Sequence, residues 1–267
     1  MLLLCAITKP PRRYLFMPFT FSHPAAVLPF CKARRIPVSV TGLIIGSMVP
    51  DFEFLFLLRE SSYVGHSWPG IILYNIPAAV LSAYIFHYLI RNAFILHLPA
   101  FLRRRFIFNI SFDWHSYFKK HYVIFFICVM AGVLSHIFID AFTHKEGFMA
   151  RPASFFQAEI KVLVFSLPVY FILQLLTSLA GGLYVLWYVL KMQKENDLQL
   201  NCRPLTYWLL FLISLPCILL VRFTVTNRYN SNEDIIIAAA GSLLYALLFV
   251  SIIHYSKIKR LTASTTV

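Results

Sequence analysis

The chain has 267 residues, 59% of them hydrophobic, and its mean hydropathy is +0.72. Soluble domains contain roughly 45–50% apolar residues, so this composition excludes an ordinary soluble domain and predicts an integral membrane protein. The formal net charge of +13 does not indicate nucleic-acid binding, because the Lys and Arg residues form short clusters between apolar runs, as the positive-inside rule explains.

The predicted elements divide the chain into three parts. Residues 1–16 match a secretory signal poorly, and Met17 follows them, so they are expected to be either an optional extension or an artefact of the assigned start. Residues 17–150 are predicted to form a membrane domain that carries the functional site, and residues 151–267 to add further transmembrane helices.

The fold class predicted is all-α, a polytopic membrane helical bundle. A transmembrane helix needs about 20 apolar residues, and a short apolar piece at 24–31 is predicted to form only a helical or re-entrant segment before the spans. About six runs meet the length requirement, the shortest being 205–221. These predicted spans are 36–58, 70–90, 121–142, 162–190, 205–221 and 235–256.

The distribution of basic residues predicts the orientation of these spans. If they alternate from a cytoplasmic start at residues 32–35, most Lys and Arg residues fall on the cytoplasmic side. The segment 98–120, which mixes basic and aromatic residues, is then expected to lie along the cytoplasmic headgroups. Membrane lipid is the expected partner, and nucleic acid is not expected to bind.

The stretch "LSHIFIDAFTHKEG" at the end of the third span places His136, Asp140 and His144 four residues apart. Ionisable groups inside a span are costly and indicate a functional site. On an unbroken helix the two histidines would lie about 12 Å apart, too far to share one ion. Either two of the three residues bind together, or the helix ends near Thr143 and His144 turns back.

Further polar residues are predicted to reach the same side of the membrane. "MVPDFEF" places Asp51 and Glu53 near the outer end of the first span, and "SSYVGHSWPG" places His66 in the following loop. His23 lies about as far before the basic turn as Asp51 lies after it, so a helical hairpin would return His23 beside Asp51.

Imidazoles and carboxylates that converge in a partly dry site are suitable ligands for a divalent metal, with zinc preferred and manganese or iron as alternatives. Two other hypotheses remain open. In one, the chain is a structural or lipid-organising protein and His136 and Asp140 form a hydrogen-bonded pair that locks two helices. In the other, the cluster is an ion-handling site of a transporter. The remaining histidines have no comparable acidic neighbours and are predicted to serve in packing: His87, His97, His115, His121 and His254.

The order "SHPAAVLP", "GSMVPDFEF", "GHSWPG" and "LSHIFIDAFTHKEG" resembles a bacterial membrane family known as domain of unknown function 4184. More distantly it is similar to LexA-regulated inner-membrane proteins described as metal-dependent hydrolases, whose pattern is an early His, Pro-Asp-x-Asp, Thr-His-Ser, and His-x-x-x-Asp followed by Thr and Gly. The resemblance implies a multi-pass protein of the bacterial inner membrane. The positions that match this pattern are His23, Pro50, Asp51, His66, Ser67, His136, Asp140, Thr143 and Gly147.

The resemblance implies a metal-dependent hydrolase with metal ligands His23, Asp51, His66, His136 and Asp140. The spacing on the third span adds His144 as a further candidate ligand, and a lipid or lipid-linked ester is the substrate expected of a hydrolase in this position. Two positions depart from the hydrolase pattern: Glu53 replaces the second Asp, and Gly65 replaces the Thr before the His. Glu53 is the candidate catalytic base. It lies roughly 200° around the helix from Asp51, so this role requires that Pro50 distort the turn.

Overall fold

The computed structural model describes residues 19–32, 37–59, 64–197, 202–226 and 232–263. The predicted extension at 1–16 lies outside these ranges, as do residues 33–35 of the basic turn at 32–35. The described chain is almost entirely helical, which confirms the predicted all-α class. The helices are α1 (Pro24–Val27), α2 (Val40–Gly46), α3 (Phe52–Leu57), α4 (Trp68–Leu73), α5 (Asn75–Ile85), α6 (Arg91–His97), α7 (Ala100–Phe106), α8 (Trp114–Thr143), α9 (Ser154–Gln157), α10 (Val169–Lys191), α11 (Pro204–Thr226) and α12 (Asn232–Ala263).

Five stretches of the described chain are helical, long and apolar enough to cross a membrane, so the chain is a multi-pass membrane protein. A sixth span results if α2 and the helical stretch Val49–Leu57 are counted together, although they are bent by 46°. The bend follows from Pro50, which lacks a backbone N–H and interrupts the helical hydrogen bonding. The five continuous spans are Trp68–His97, Trp114–Thr143, Val169–Lys191, Pro204–Val225 and Asp234–Ser256.

The N-terminal piece before the spans is short and helical, as predicted. It consists of a 3-10 turn at Thr20–Ser22, then α1, then a second 3-10 turn at Leu28–Lys32. It packs against α10 and α8.

The span predicted at 70–90 extends to His97, past the charged Arg91. A π-helical turn at Phe86–Ile90 directly precedes this continuation. Arg91 is buried, and its guanidinium donates hydrogen bonds to the carbonyl oxygens of Phe112 and Ile110 at 2.9 and 3.4 Å. Arg91, which in the sequence marks the end of the span, is therefore tolerated inside the helix, because two carbonyl groups of a neighbouring loop accept hydrogen bonds from its guanidinium.

The span predicted at 162–190 begins later, at Val169, because residues 159–168 form a β-hairpin. Its strands are β1 (Glu159–Val162) and β2 (Phe165–Pro168), paired antiparallel with Val162 opposite Phe165. Polar and apolar residues alternate in β1, which favours a strand. Leu163 adopts a positive φ of 55°, the conformation that a two-residue hairpin loop requires at its first position.

Helix α8 begins at Trp114, earlier than the predicted start at residue 121. Residues 114–120 of the predicted interfacial segment are therefore the first two turns of this helix, and the helical geometry is interrupted only at His121, where φ is −128° and ψ is 25°. Asp113 caps the N-terminus by accepting a hydrogen bond from the Ser116 backbone N–H at 3.2 Å.

Three glycines allow α2 and α8 to approach closely. A Cβ at Gly46 would lie 2.4 Å from the carbonyl oxygen of Val129, and one at Gly132 would lie 2.6 Å from that of Leu43. Gly42 faces the Phe125 carbonyl in the same way. Small residues spaced four apart are the usual means by which membrane helices reach backbone contact. This contact fixes the depth and rotation of the C-terminal half of α8 relative to the bend at Pro50.

Candidate metal centre

Four polar residues from three segments meet where the bent helix pair contacts the end of α8. Asp51 ends the 3-10 turn Val49–Asp51 directly after the bend. His66 ends a second 3-10 turn, Val64–His66, which precedes α4. His136 and Asp140 lie one turn apart on the same face of α8, close to its end at Thr143. The convergence expected from the sequence is thus present in the fold.

The ligand atoms of these four residues lie within 4.8 Å of one another. His136 Nε2 is 3.1 Å from Asp140 Oδ2 and 3.5 Å from Asp51 Oδ1. His66 Nε2 is 3.1 Å from His136 Nε2, 3.3 Å from Asp140 Oδ2 and 3.7 Å from Asp51 Oδ1. Two nitrogen and two oxygen atoms therefore surround one small volume. We call these four residues the Asp51 cluster.

The cluster is almost completely removed from solvent. His136 is 0% exposed, Asp51 2% and Asp140 6%, whereas the side chain of His66 retains 20% exposure and forms the accessible edge. In the described chain, the basic groups within 4 Å of the two carboxylates are all imidazoles, with no Lys or Arg among them. Two buried carboxylates are costly unless a cation compensates them. The donor set and its charge therefore fit a divalent cation.

Hydrogen bonds outside the cluster orient two of its members. His136 Nδ1 lies 2.9 Å from the carbonyl oxygen of Ser47, which can only accept, so Nδ1 carries the proton and donates. In the neutral ring the Nε2 lone pair then points into the cluster, the arrangement found in metal-binding histidines. The Thr20 hydroxyl donates to Asp51 Oδ2 at 2.8 Å, which leaves Oδ1 directed at the imidazoles.

His23 and His144 lie beside the cluster, both within 4 Å of the same oxygen of Asp140. The His23 ring stacks on that of His136, with 4.0 Å between centroids and 27° between planes. His23 Nε2 is 3.8 Å, and His144 Nδ1 3.5 Å, from Asp140 Oδ1. Burial, reinforced by the neighbouring His136, lowers the pKa of His23 to about 4, so this imidazole is neutral at physiological pH. Helix α8 ends at Thr143 and His144 turns back, the second of the two arrangements expected from the sequence.

Glu53 is placed apart from the four ligand atoms. Its side chain is buried, and Oε2 accepts a hydrogen bond from the Gly65 backbone N–H at 3.3 Å, while Asn75 Nδ2 donates to the Gly65 carbonyl at 2.8 Å. Gly65 itself lies against Pro50, whose carbonyl oxygen would be 2.4 Å from any Cβ. The close Pro50 carbonyl explains why glycine stands at position 65. Glu53 and Asn75 hold the peptide groups of this glycine, which directly precedes His66.

Three of these supporting residues were not identified from the sequence. Thr20 is recognisable only once α1 is known to pack beside the bend. Ser47 acts through its backbone carbonyl, which leaves no signal in the residue type. Asn75 is a buried polar residue inside a span, so the cost of polar groups in a membrane, which identifies the histidines, is a sequence signal for this residue as well.

The histidines predicted to serve in packing lie outside the cluster. The ring of His87 stacks on Trp114 at 4.4 Å, and that of His97 stacks on Tyr207 at 4.3 Å. The other three also contact groups outside the cluster. His115 contacts Tyr84, His121 contacts Tyr117, and His254 contacts the carbonyl of Val250.

Comparison with known proteins identifies the family of this chain. No curated protein and no solved structure matches it. The model of a family described as "Domain of unknown function (DUF4184)" matches residues 17–257, which include all the cluster residues and all the spans. Since the match covers most of the sequence, the chain belongs to the DUF4184 family.

Proposed function

We propose that the chain is a membrane-embedded, metal-dependent hydrolase whose ion is held by Asp51, His66, His136 and Asp140. The observation that carries the proposal is the set of four ligand atoms within 4.8 Å of one another, two of them on buried carboxylates whose charge no Lys or Arg within 4 Å offsets among the described residues. A pair of residues would suffice to lock two helices, whereas four residues from three segments supply at least the three protein ligands that a catalytic zinc ion has beside its water.

Zinc is the ion we propose, with manganese or iron as alternatives, because imidazole and carboxylate ligands suit all three. A divalent ion held there would lower the pKa of a water molecule and polarise the scissile group of an ester. Residues of the chain would balance the charge of the ion, orient its ligands and leave a side open to substrate. Asp51 and Asp140 balance the charge, Ser47 and Thr20 fix the direction of the ligand atoms, and the exposed edge of His66 marks the side from which substrate enters.

The position of the site favours an ester of a lipid or lipid-linked molecule as substrate. Asp140 lies three residues before the end of α8, and His66 two residues before the span that begins at Trp68. The side chain of Trp68 is 84% exposed, and tryptophan is enriched at membrane interfaces. These positions correspond to headgroup depth, where the ester bonds of lipids lie. By the positive-inside rule we assign this end to the periplasmic face of a bacterial inner membrane.

Metal analysis of variants tests the proposal directly. Asp51→Asn and Asp140→Asn preserve side-chain shape but remove charge, and each should sharply reduce the metal bound by detergent-purified protein, because divalent ions prefer deprotonated ligands. Hydrolysis of a lipid ester should fall in parallel. The matched control is Asp113→Asn at the opposite end of α8, since asparagine caps a helix as well as aspartate and should leave the metal content unchanged.

The same experiment distinguishes the helix-locking alternative. If Asp140 only orients His136, which holds α8 against the Ser47 carbonyl after α2, Asp140→Asn keeps a hydrogen bond to the imidazole. Equal metal content in Asp140→Asn and the parent, measured on monodisperse samples, would reject Asp140 as a ligand. Absence of metal from the parent after purification without chelator and after reconstitution would reject the metal centre altogether.

A further inference from the structure

The two carboxylate oxygens of Asp140 face different pairs of imidazoles. Oδ2 faces the Asp51 cluster, at 3.1 Å from His136 Nε2 and 3.3 Å from His66 Nε2. Oδ1 is 3.5 Å from His144 Nδ1 and 3.8 Å from His23 Nε2. Each oxygen of this carboxylate therefore has its own pair of imidazole nitrogens within 4 Å.

Asp140 Oδ1 and both ring nitrogens of His23 are buried and have no hydrogen-bond partner among the described residues, whereas His144 Nδ1 is partly exposed and lies 3.3 Å from the Thr143 hydroxyl. His23 is only 3% exposed. Buried polar atoms without partners are rare in native proteins, because each one costs its full desolvation free energy. An unpartnered carboxylate oxygen that lies 3.8 Å from an unpartnered imidazole nitrogen indicates a ligand that the protein atoms themselves do not replace.

The spacing of these atoms matches the edges of a metal coordination shell. Two ligand atoms bound to one tetrahedral ion at about 2.1 Å each lie about 3.4 Å apart. The distances of 3.5 and 3.8 Å from Oδ1 to the two histidine nitrogens are close to this value and longer than ordinary hydrogen bonds. The stacking of His23 on His136 keeps their rings near parallel, so that their Nε2 atoms reach the two oxygens of the same carboxylate.

We propose that Asp140 bridges two metal ions, and that the second ion binds Asp140 Oδ1, His23 Nε2 and His144 Nδ1. This inference rests on the proposed metal centre and extends it from one ion to two. Ions that share a carboxylate in two-metal hydrolytic sites lie about 3.5–4 Å apart. The side chain of His144 is 30% exposed, so the coordination position beyond the three protein ligands opens toward solvent and is available to water or substrate.

Metal stoichiometry tests the second subsite. Detergent-purified protein is stripped with chelator, reconstituted with Mn²⁺, freed of excess metal and analysed for manganese per chain. We expect two ions per chain in the parent and one in both His23→Gln and His144→Gln. His254→Gln, which changes a histidine remote from the cluster, should keep two. Electron paramagnetic resonance should detect coupling between neighbouring Mn²⁺ ions in the parent and isolated Mn²⁺ in the two subsite variants.

The outcomes separate this inference from the proposed function. One ion per chain in the parent, retained in His23→Gln, overturns the second subsite and leaves the single-ion centre in place. Two ions in both His23→Gln and His144→Gln also overturn it. Absence of manganese from the parent contradicts both proposals. Because His23 is buried, loss of monodispersity in His23→Gln shifts the decision to His144→Gln, whose partly exposed side chain is not needed for packing.

Discussion

At the level of single residues, the peptide at Gly65 connects a carboxylate outside the Asp51 cluster with an imidazole inside it. Glu53 accepts the Gly65 N–H, Asn75 donates to the Gly65 carbonyl, and His66 follows directly in the chain. Under the proposed function, Glu53 would influence a bound metal through the position of His66. Its expected effect is on affinity for the ion, and that distinguishes it from a catalytic base.

This role predicts different results for two Glu53 variants. Glu53→Gln retains an oxygen that accepts the Gly65 N–H, so metal affinity should stay near that of the parent and activity should persist. Glu53→Leu leaves the N–H without this acceptor and should weaken metal binding by about tenfold, as changes behind metal ligands do. Competition with a chromophoric chelator measures both affinities. A Glu53→Gln protein with full metal content and no hydrolysis would instead identify Glu53 as the base proposed from the sequence.

The sequence was sufficient to bring the cluster residues together but not to orient them. Asp51, His66 and His136 are recognisable because each is an ionisable residue at the end of an apolar run, and alternation of the spans places those ends on one side. The two faces of the Asp140 carboxylate and the tautomer of His136 depend on the close contact between α2 and α8. Hydropathy and residue spacing do not determine the relative position of two helices to within tenths of an ångström.

At the level of helices, the contact between α2 and α8 should control the site from a distance. A Cβ at Gly46 would lie 2.4 Å from Val129 O and 2.9 Å from Val129 Cα, both backbone atoms that cannot rotate away. Gly46→Ala should therefore separate the helices at a cost of about 1–3 kcal/mol. It should also draw the Ser47 carbonyl away from His136 Nδ1 and reduce metal content.

A glycine with free space provides the control for this prediction. At Gly182 in α10 the nearest atoms to an added Cβ belong to the Phe19 ring, at 4.0 Å. Gly182→Ala should be neutral or raise stability by up to about 1 kcal/mol, since alanine favours helix more than glycine. Thermal denaturation in detergent compares the two variants. Equal midpoints would contradict the assignment of the α2–α8 contact as the element that positions the site.

Helix boundaries were predicted well where hydropathy alone sets them and poorly where a specific contact overrides it. Arg91 signalled an end to its span, yet the helix continues to His97 because two loop carbonyls accept from the guanidinium. The apolar run at 162–168 signalled a helix, yet it contributes to a hairpin whose first strand includes polar residues before the run. Both differences arise from contacts between segments remote in sequence or outside the apolar window.

At the level of the whole molecule, the two ends of the bundle differ in charge. At one end, arginines of α7 bind the end of α10 and the segment that follows it: Arg105 donates to the Leu190 carbonyl in α10 at 2.9 Å, and Arg103 forms an ion pair with Asp197 at 2.6 Å. The Asp51 cluster lies at the other end, near the C-terminus of α8. If the basic end faces the cytoplasm, the site faces the periplasm.

Cysteine accessibility tests this orientation. In a background without the native cysteines, Ser154→Cys lies in α9 shortly after the site end of α8, and Asn196→Cys lies beside the Arg103–Asp197 ion pair; both native side chains are exposed. In spheroplasts with intact inner membranes, a membrane-impermeant thiol reagent should label Ser154→Cys and not Asn196→Cys. Both should react after the membrane is disrupted, which controls for buried thiols. The reverse pattern would place the Asp51 cluster at the cytoplasmic face. Its metal would then come from the cytoplasm, and its lipid substrates from the cytoplasmic leaflet.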